Sequence, residues 1–291
     1  ASASAAAAAS ASASSSASSS ASSAAADSAP RTVWSALLRL ATAWQRRVAP
    51  GQRLADFGGP PNLLECVPTY VHQVAGFNAA AAWSSRLLSA AMHTRAGRAA
   101  RAAASPASPA ASAAASSASS ASSAAASSAA TATEAAAELR RRADALAAAT
   151  LELSVGDGSG VWYAAQPNGA PRLVNRHVLD FAYVAEFLHA DLPRPLREAM
   201  AAFARRELLV PEQGWMRAQS LSDPAARDSD RTDHGPWGAY AGWPPITAAA
   251  LATLGHQRDG MVKVAVLVRP QLATSSSSGC VRRLGAALHT P

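Results

Sequence analysis

Two long tracts built almost wholly from alanine and serine divide the chain. The first covers residues 1–29, where Asp27 is the only charged residue, and the second covers residues 99–132. Serine hydroxyls compete for backbone hydrogen bonds and alanine buries little apolar surface, so such sequence gains little from folding. We therefore predict that both tracts are disordered or only transiently helical. About 220 of the 291 residues then remain for folding, enough for a sizeable core.

The tracts predict a chain of five regions. In order, these are a low-complexity tract at 1–29, a first helical hairpin region at 30–98, a low-complexity insertion at 99–132, helical hairpins that carry the candidate site at 133–258, and a poorly ordered tail at 259–291.

Apolar residues recur at helical spacing outside the tracts, and this periodicity predicts six helices. Their approximate ranges are 33–48, 62 or 68 to 92, 134–153, 178–188, 193–209 and 239–254. Thr133 is a predicted N-cap and Gly255 a predicted C-cap. Residues 161–165 and 172–175 flank Pro167-Asn168-Gly169, which indicates a short β-hairpin. The predicted fold class is all-α: an array of αα-hairpins with one small β-hairpin.

The predicted helices fall into two classes. Those near 62–92, 178–190 and 239–254 are the more apolar ones, whereas those near 33–48, 134–153 and 194–209 are amphipathic and rich in arginine. An inner and an outer layer of helices would sort the sequence in this way.

The positive charge does not by itself indicate a nucleic-acid partner. The net charge is +7, with 25 arginines and a single lysine, Lys263. The arginines are scattered and 140–142 is their longest run, whereas a nucleic-acid surface needs a basic stripe with interleaved aromatic residues. GC-rich codons explain such a bias, so we expect no nucleic-acid partner.

Other classes of site have no sequence signal. Cys66 and Cys280 are too few for a disulfide framework or a zinc set. No phosphate loop or nucleophile elbow occurs, so we expect no metal and no cofactor. No strongly apolar run of about 18 residues indicates a membrane span, and no localisation is predicted.

The densest group of chemically active residues lies between positions 215 and 245. It combines aromatic rings, which suit the C–H faces of a sugar, with charged groups that bond sugar hydroxyls. The candidates for binding a sugar are Trp215, Arg217, His234, Tyr240 and Trp243, and Asp233 is a candidate catalytic carboxylate. The alternative is that the tryptophans are core residues and the aspartates cap helices or pair with arginine.

Two further groups add candidates. Glu65 and His72 are seven residues apart, which predicts one shared face of the second helix. Asp180 follows Asn175-Arg176-His177 near the start of another helix. Each carboxylate also has a simpler interpretation, because an acid in the first turn of a helix complements the helix dipole.

The segments Trp215–Arg217 and Asp233–Pro245 resemble the six-hairpin glycosidase superfamily, the (α/α)6 toroids. The Gly-Pro-aromatic turn at Gly235–Trp237 is similar to the entry into a late inner helix of those proteins. Residues 63–78 are similar to another inner helix, entered through a glycine-rich loop that bears an acid. The resemblance implies two rings of helices with a sugar-binding funnel at one end. It covers three of six hairpins, so a partial copy is expected.

The resemblance implies a glycoside hydrolase-like protein, truncated if it is a partial copy, that hydrolyses a glycosidic bond by acid–base catalysis with Asp233 and Glu65. Trp215, Arg217, His234, Tyr240, Trp243, His72 and Asp180 would bind the carbohydrate. The alternative is a catalytically inactive carbohydrate-binding or scaffold protein. An incomplete ring would leave apolar helices uncovered, which favours self-association of the chain.

Overall fold

The computed structural model describes residues 33–59, 67–104, 115–210, 215–227 and 243–258. Most of these residues are helical, and the strands are short. The helices are α1 (Val33–Thr42), α2 (Ala75–Ala104), α3 (Ala115–Leu151), α4 (Val178–Phe187), α5 (Arg194–Phe203), α6 (Pro224–Arg227) and α7 (Trp243–Thr253). A 3-10 turn over Ala43–Arg47 extends α1, and a π turn over Ala204–Leu208 extends α5. None of the described helices meets the length and apolarity that crossing a membrane requires.

Two antiparallel strand pairs complete the described part of the chain. Strand β1 (Trp162–Ala164) pairs with β2 (Leu173–Asn175), which confirms the predicted β-hairpin. Strand β3 (Leu209–Val210) pairs with β4 (Trp215–Met216). Strand β4 was not expected, because the sequence predicted a loop from residue 211 onward.

Helix α2 begins later than predicted. Residues 67–74 form turns, and His72 has a φ of +59°. The N–H of His72 donates to Gly58 O (2.8 Å), and the backbone of Gln73 pairs with that of Ala165. These long-range bonds replace the i to i−4 bonds that a helix would need. The predicted helical face shared by Glu65 and His72 is therefore wrong at His72, and Glu65 lies outside the described residues.

Helix α3 begins earlier than predicted, within the second Ala/Ser tract. Residues 99–104 belong to α2 and residues 115–132 to α3, while 105–114 lie outside the described residues. Thr133 is inside α3 rather than at its N-cap, and its hydroxyl donates to Ala129 O (2.9 Å). Alanine has the highest helix propensity, and hydroxyls can bond the preceding turn of a helix. Ala129 is also buried, so tertiary packing supports this part of the tract. The tract at 1–29 and the tail at 259–291 lie outside the described residues.

Helices α2 and α3 are antiparallel neighbours. The Ser89 hydroxyl of α2 donates to Ala136 O of α3 (2.7 Å), and one turn away Arg86 pairs with Asp144 (2.7 Å). Arg86 also makes two bonds to Asp191, just beyond α4 (2.6 and 3.0 Å). One guanidinium group therefore links three segments of the chain, and its planar fork suits this geometry.

Helix α4 lies between α2 and α7. Phe181 of α4 contacts Phe203 of α5, with ring centroids 6.4 Å apart, which places the end of α5 beside the start of α4. Fully buried side chains fill the space between these elements: Leu146, Trp162, Phe181, Met200, Phe203, Leu208 and Leu251. The three helices predicted to be most apolar, α2, α4 and α7, are thus adjacent, and the predicted C-cap Gly255 has the expected positive φ of +92°.

An apolar groove of about 410 Å³ runs along the far side of α2. Its walls come from α1, α2 and the end of α4, and its lining includes Leu40, Trp44, Phe57, Phe77, Trp83 and Phe187. Trp83 and Leu87 of α2 are 41% and 51% exposed. We refer to this surface below as the α2 groove.

Candidate active site

The first turns of α2, α4 and α7 lie at the same end of the molecule. Gly76 in the first turn of α2 bonds to Asp180 in the first turn of α4, and Trp83 contacts Phe187 farther along the same two helices (4.9 Å). Trp243, the first residue of α7, contacts His177, which immediately precedes α4. The three helices are therefore parallel to one another, and their N-terminal ends form one surface.

A cluster of aromatic and polar side chains occupies this end. The ring of His177 lies 5.4 Å from the ring of Tyr70 and 5.4 Å from the ring of Trp243, the latter in an edge-to-face arrangement. Tyr70 and His177 are buried, and Trp243 is partly buried. Aromatic faces combined with polar atoms in one cluster suit a ligand with both C–H and hydroxyl groups.

His177 is held in one orientation by local hydrogen bonds. As the N-cap of α4, its Nδ1 accepts from the N–H of Leu179 (3.2 Å), and its own backbone N–H donates to Asn175 Oδ1 (2.9 Å). Because Nδ1 accepts, the hydrogen of a neutral ring is carried by Nε2. The Asn175-Arg176-His177 motif thus sets the tautomer and the direction of the imidazole.

Asp180 is fully buried and bridges two helices. Its Oδ1 accepts from the N–H of Gly76 (2.6 Å) and its Oδ2 accepts from Asn175 Nδ2 (2.6 Å). It therefore caps the N-terminus of α2, a different helix from its own. Burial raises the pKa of Asp180 to about 7, although the hydrogen bonds from Gly76, Asn175 and Ala75 act in the opposite direction.

Gln219 brings an amide group to the same place. Its backbone pairs with that of His177 in an antiparallel bridge, which directs the two side chains to the same face. Gln219 is fully buried, yet neither amide atom has a hydrogen-bond partner among the described residues. The hydroxyl of Tyr70 also lacks one within the described ranges. Buried polar atoms without partners are costly, so these two side chains have hydrogen-bonding capacity to offer a ligand.

The His177–Gln219 bridge is supported on both sides. Val178 N–H donates to Ala218 O (2.7 Å), and Ser220 N–H donates to Arg176 O (3.2 Å). The Ser220 hydroxyl and the Arg176 guanidinium both bond to Glu207 (2.6 and 2.8 Å). Burial acts to raise the pKa of Glu207, but these two partners outweigh it and hold the pKa below its ordinary value. Glu207 is therefore an ionised group that positions the bridge.

The segment before α2 is anchored to the same frame. The Thr69 hydroxyl donates to Asp223 Oδ2 (3.2 Å), and the same oxygen accepts from the backbone N–H of Arg176 (3.4 Å). Asp223 is fully buried. Two distant stretches of the chain, 67–74 and 215–223, are thus joined beside His177.

Several residues predicted to form the site lie outside the described residues: Glu65, Asp233, His234 and Tyr240. The described part of the chain begins again at Val67 and at Trp243, and both residues pack in the apolar cluster that includes Tyr70 and Leu179.

The other predicted residues differ in their surroundings. Trp215 is in β4, opposite Val210, and Arg217 follows it, with a buried Nε that has no hydrogen-bond partner among the described residues. His72 is about one-quarter exposed, and its Nδ1 lies 3.1 Å from Asp56 Oδ1. Trp243 alone of the predicted sugar-binding residues has a described side chain in the cluster around His177.

Gln219 was missed in the sequence because its signal is a buried amide without a partner, which only the folded chain reveals. Tyr70 lies within the range predicted for the second helix, but no local sequence pattern indicates that its buried hydroxyl lacks a partner among the described residues. His177 was recognised only as part of the motif before Asp180.

Within the described ranges, no group of three or more histidine, cysteine, aspartate or glutamate side chains is arranged to hold a metal ion. Comparison of the chain with protein-family models, curated proteins and solved structures finds no match.

Proposed function

We propose that the chain is a glycoside hydrolase-like protein that cleaves a glycosidic bond by acid–base catalysis. The observation that carries the proposal is the cluster at the N-terminal ends of α2, α4 and α7. It combines aromatic rings at Tyr70 and Trp243 with the buried amide of Gln219, which has no hydrogen-bond partner among the described residues. Such a cluster has the stacking and hydrogen-bonding groups that a sugar ring requires, and Trp243 is its partly exposed member.

In this proposal Trp243 stacks on the sugar, and Gln219 and Tyr70 bond its hydroxyls. Arg217 supplies a further donor, and Trp215, His234, Tyr240, His72 and Asp180 complete the set of proposed carbohydrate-binding residues. The parallel helices α2 and α4, with α7 packed on α4, support an arrangement like part of an (α/α)6 toroid, with the sugar at the end where the first turns meet.

Asp233 and Glu65 are the proposed catalytic carboxylates. One would protonate the leaving oxygen and the other would activate water or attack the sugar, which requires carboxyl groups roughly 5–10 Å apart. Both carboxylates are taken from the sequence pattern around them, since they lie outside the described residues.

The first test is hydrolysis of a panel of aryl glycosides. Asp233→Asn and Glu65→Gln should each lower kcat by at least about 100-fold, the scale of one general acid or base. Asp157→Asn, which changes an exposed turn carboxylate, is the matched control and should retain full activity. Turnover by Asp233→Asn equal to that of the unchanged protein would overturn the assignment.

A second candidate function is carbohydrate binding without catalysis. It is favoured because the two buried carboxylates of the described cluster, Asp180 and Asp223, already accept hydrogen bonds from the fold and so are not available as acid or base. Glycan binding that is lost in Trp243→Ala, with no turnover by the unchanged protein, would support a binding or scaffold role.

Self-association is part of the same proposal. The α2 groove, whose walls come from α1, α2 and the end of α4, is an apolar surface on which another apolar helix could pack. A second copy of the chain is the occupant that a partial ring favours.

A further inference from the structure

A cavity of about 500 Å³ lies at the C-terminal end of α3, apart from the cluster around His177. The loop at 51–54, the end of α3 and the β1–β2 hairpin enclose it. Its polar lining side chains are Gln52, Arg53, Gln73, Glu152, Gln166 and Arg172. The volume is within the range of small-molecule sites, which is about 300–1,000 Å³.

The charged groups of the lining are two cations and one anion. Arg53 Nη1 lies 2.8 Å from each oxygen of Glu152, and Arg172 Nη1 donates to the backbone oxygen of Glu152 (3.3 Å). Arg172 also lies over the ring of Tyr163, 5.9 Å from its centroid. Two guanidinium groups thus converge on one residue, and the cavity keeps a net positive charge.

The uncharged part of the lining bonds polar ligands. Three glutamine amides face the cavity, and each offers both a donor and an acceptor. Gln166 Nε2 donates to Ala164 O (3.2 Å), while its amide oxygen remains an acceptor. This chemistry matches hydroxyl groups better than apolar surface.

We propose that this cavity binds a small anionic molecule rich in hydroxyl groups: a sugar acid or a sugar phosphate. The anionic group would bond to Arg172 and Arg53, since guanidinium groups recognise both carboxylate and phosphate. The glutamine amides would bond the hydroxyls. In the absence of ligand the Glu152 carboxylate pairs with Arg53, so the ligand competes with Glu152 for this guanidinium group. The proposal does not depend on cleavage of a glycosidic bond.

The test is isothermal titration of the full chain with D-glucuronate, D-glucose 6-phosphate, D-glucose and inorganic phosphate at fixed ionic strength. At least one charged sugar should bind, and at least about tenfold more tightly than glucose and phosphate. The tighter of the two charged sugars identifies whether the anion is a carboxylate or a phosphate.

Three variants assign the binding to the cavity. Arg172→Gln should weaken it about tenfold, because one charge-assisted contact is lost. Ala170→Trp, at an exposed position of the cavity wall, should abolish it by filling the space. Glu152→Gln should strengthen it several-fold, because Arg53 is released from its internal partner. A site beside Glu152 gives this opposite sign, whereas loss of Arg172 weakens binding.

Arg98→Gln is the matched control, because it removes an exposed arginine of α2 that does not line the cavity. Its affinity should equal that of the unchanged protein. The proposal is overturned if neither charged sugar binds, if glucose or inorganic phosphate binds as tightly, or if Arg98→Gln loses as much affinity as Arg172→Gln.

Discussion

At the scale of single residues, the buried carboxyl group of Asp180 makes the stability of the fold depend on pH. A buried carboxyl group loses hydration, and this raises the pKa of Asp180 to about 7. In the unfolded chain an aspartate titrates near pH 3.9. Between these two values the folded state holds a proton that the unfolded state has released. The contribution of Asp180 therefore favours the fold at low pH and is lost as pH rises toward 7.

We expect Asp180→Asn to remove this pH dependence. From pH 5 to pH 8 the free energy of unfolding of the unchanged protein should fall by about 3 kcal/mol relative to that of the variant. The variant should also be less stable at pH 5, because its amide nitrogen would face Asn175 Nδ2, a second donor.

Urea unfolding monitored by circular dichroism at several pH values measures both effects. Asp157→Asn should follow the profile of the unchanged protein, since an exposed carboxyl group has finished titrating before pH 5. Identical profiles for the unchanged protein and Asp180→Asn would show that Asp180 stays ionised throughout this range.

At the scale of elements, the contact between α2 and α4 depends on a missing side chain. A Cβ at position 76 would lie 2.9 Å from Leu179 O and 3.0 Å from Asp180 Oδ1. Glycine is therefore required for the two helices to approach so closely and for Asp180 to reach the first turn of α2. Gly97 belongs to the same helix, but a Cβ there would have no atom within 4 Å.

Alanine substitutions at these two glycines of α2 should change the stability of the protein in opposite directions. Gly76→Ala should destabilise the protein by about 1–3 kcal/mol through steric overlap, and it should weaken any glycan binding because α4 carries His177 at its start. Gly97→Ala should stabilise it by about 0.5–1 kcal/mol, because alanine is the better helix former. Thermal unfolding compares them, and a stabilised Gly76→Ala would contradict the described packing.

Some elements were predictable because their signals are local. Helices α4 and α5 and the cap at Gly255 follow from periodicity and glycine chemistry within a few residues. The start of α2 was not predictable, since Gln73 pairs with Ala165 across nearly a hundred positions. The start of α3 was missed because helix propensity and packing of Ala129 outweigh the compositional signal of a low-complexity tract.

Some residues of the candidate site were likewise visible in the sequence, and others were not. Aromatic residues such as Trp243 are visible in sequence as stacking candidates. The orientation of His177 and the unpartnered amide of Gln219 arise from a bridge between residues 42 positions apart, and no local pattern encodes it. Asp180 was recognised as a helix-start acid, but the helix that it caps lies elsewhere in the chain.

At the scale of the whole molecule, the row of parallel helices has an apolar edge. The α2 groove is lined mainly by apolar and aromatic side chains, and Trp83 stands at its rim with 41% of its surface exposed. Contiguous apolar surface of this kind is typical of an interface. The proposed second copy would cover it.

Self-association through the α2 groove predicts a mass that depends on concentration. Light scattering after size exclusion should give a dimer for the unchanged protein and a monomer for Trp83→Ser, because loss of a large aromatic anchor weakens an interface strongly. Val33→Ser replaces an exposed apolar residue that does not line the groove and should leave the dimer intact. A monomer at all concentrations of the unchanged protein would rule out this interface.

The bond between Asp180 and Gly76 joins residues 104 positions apart, and this separation has a consequence for synthesis. The start of α2 emerges from the ribosome long before the carboxylate that caps it has been translated. Its first N–H groups must therefore remain hydrated, or use other acceptors, until the nascent chain extends beyond α4. Docking of α4 is then the step that completes α2, and a ribosome paused before residue 180 presents a chain that cannot yet close this end.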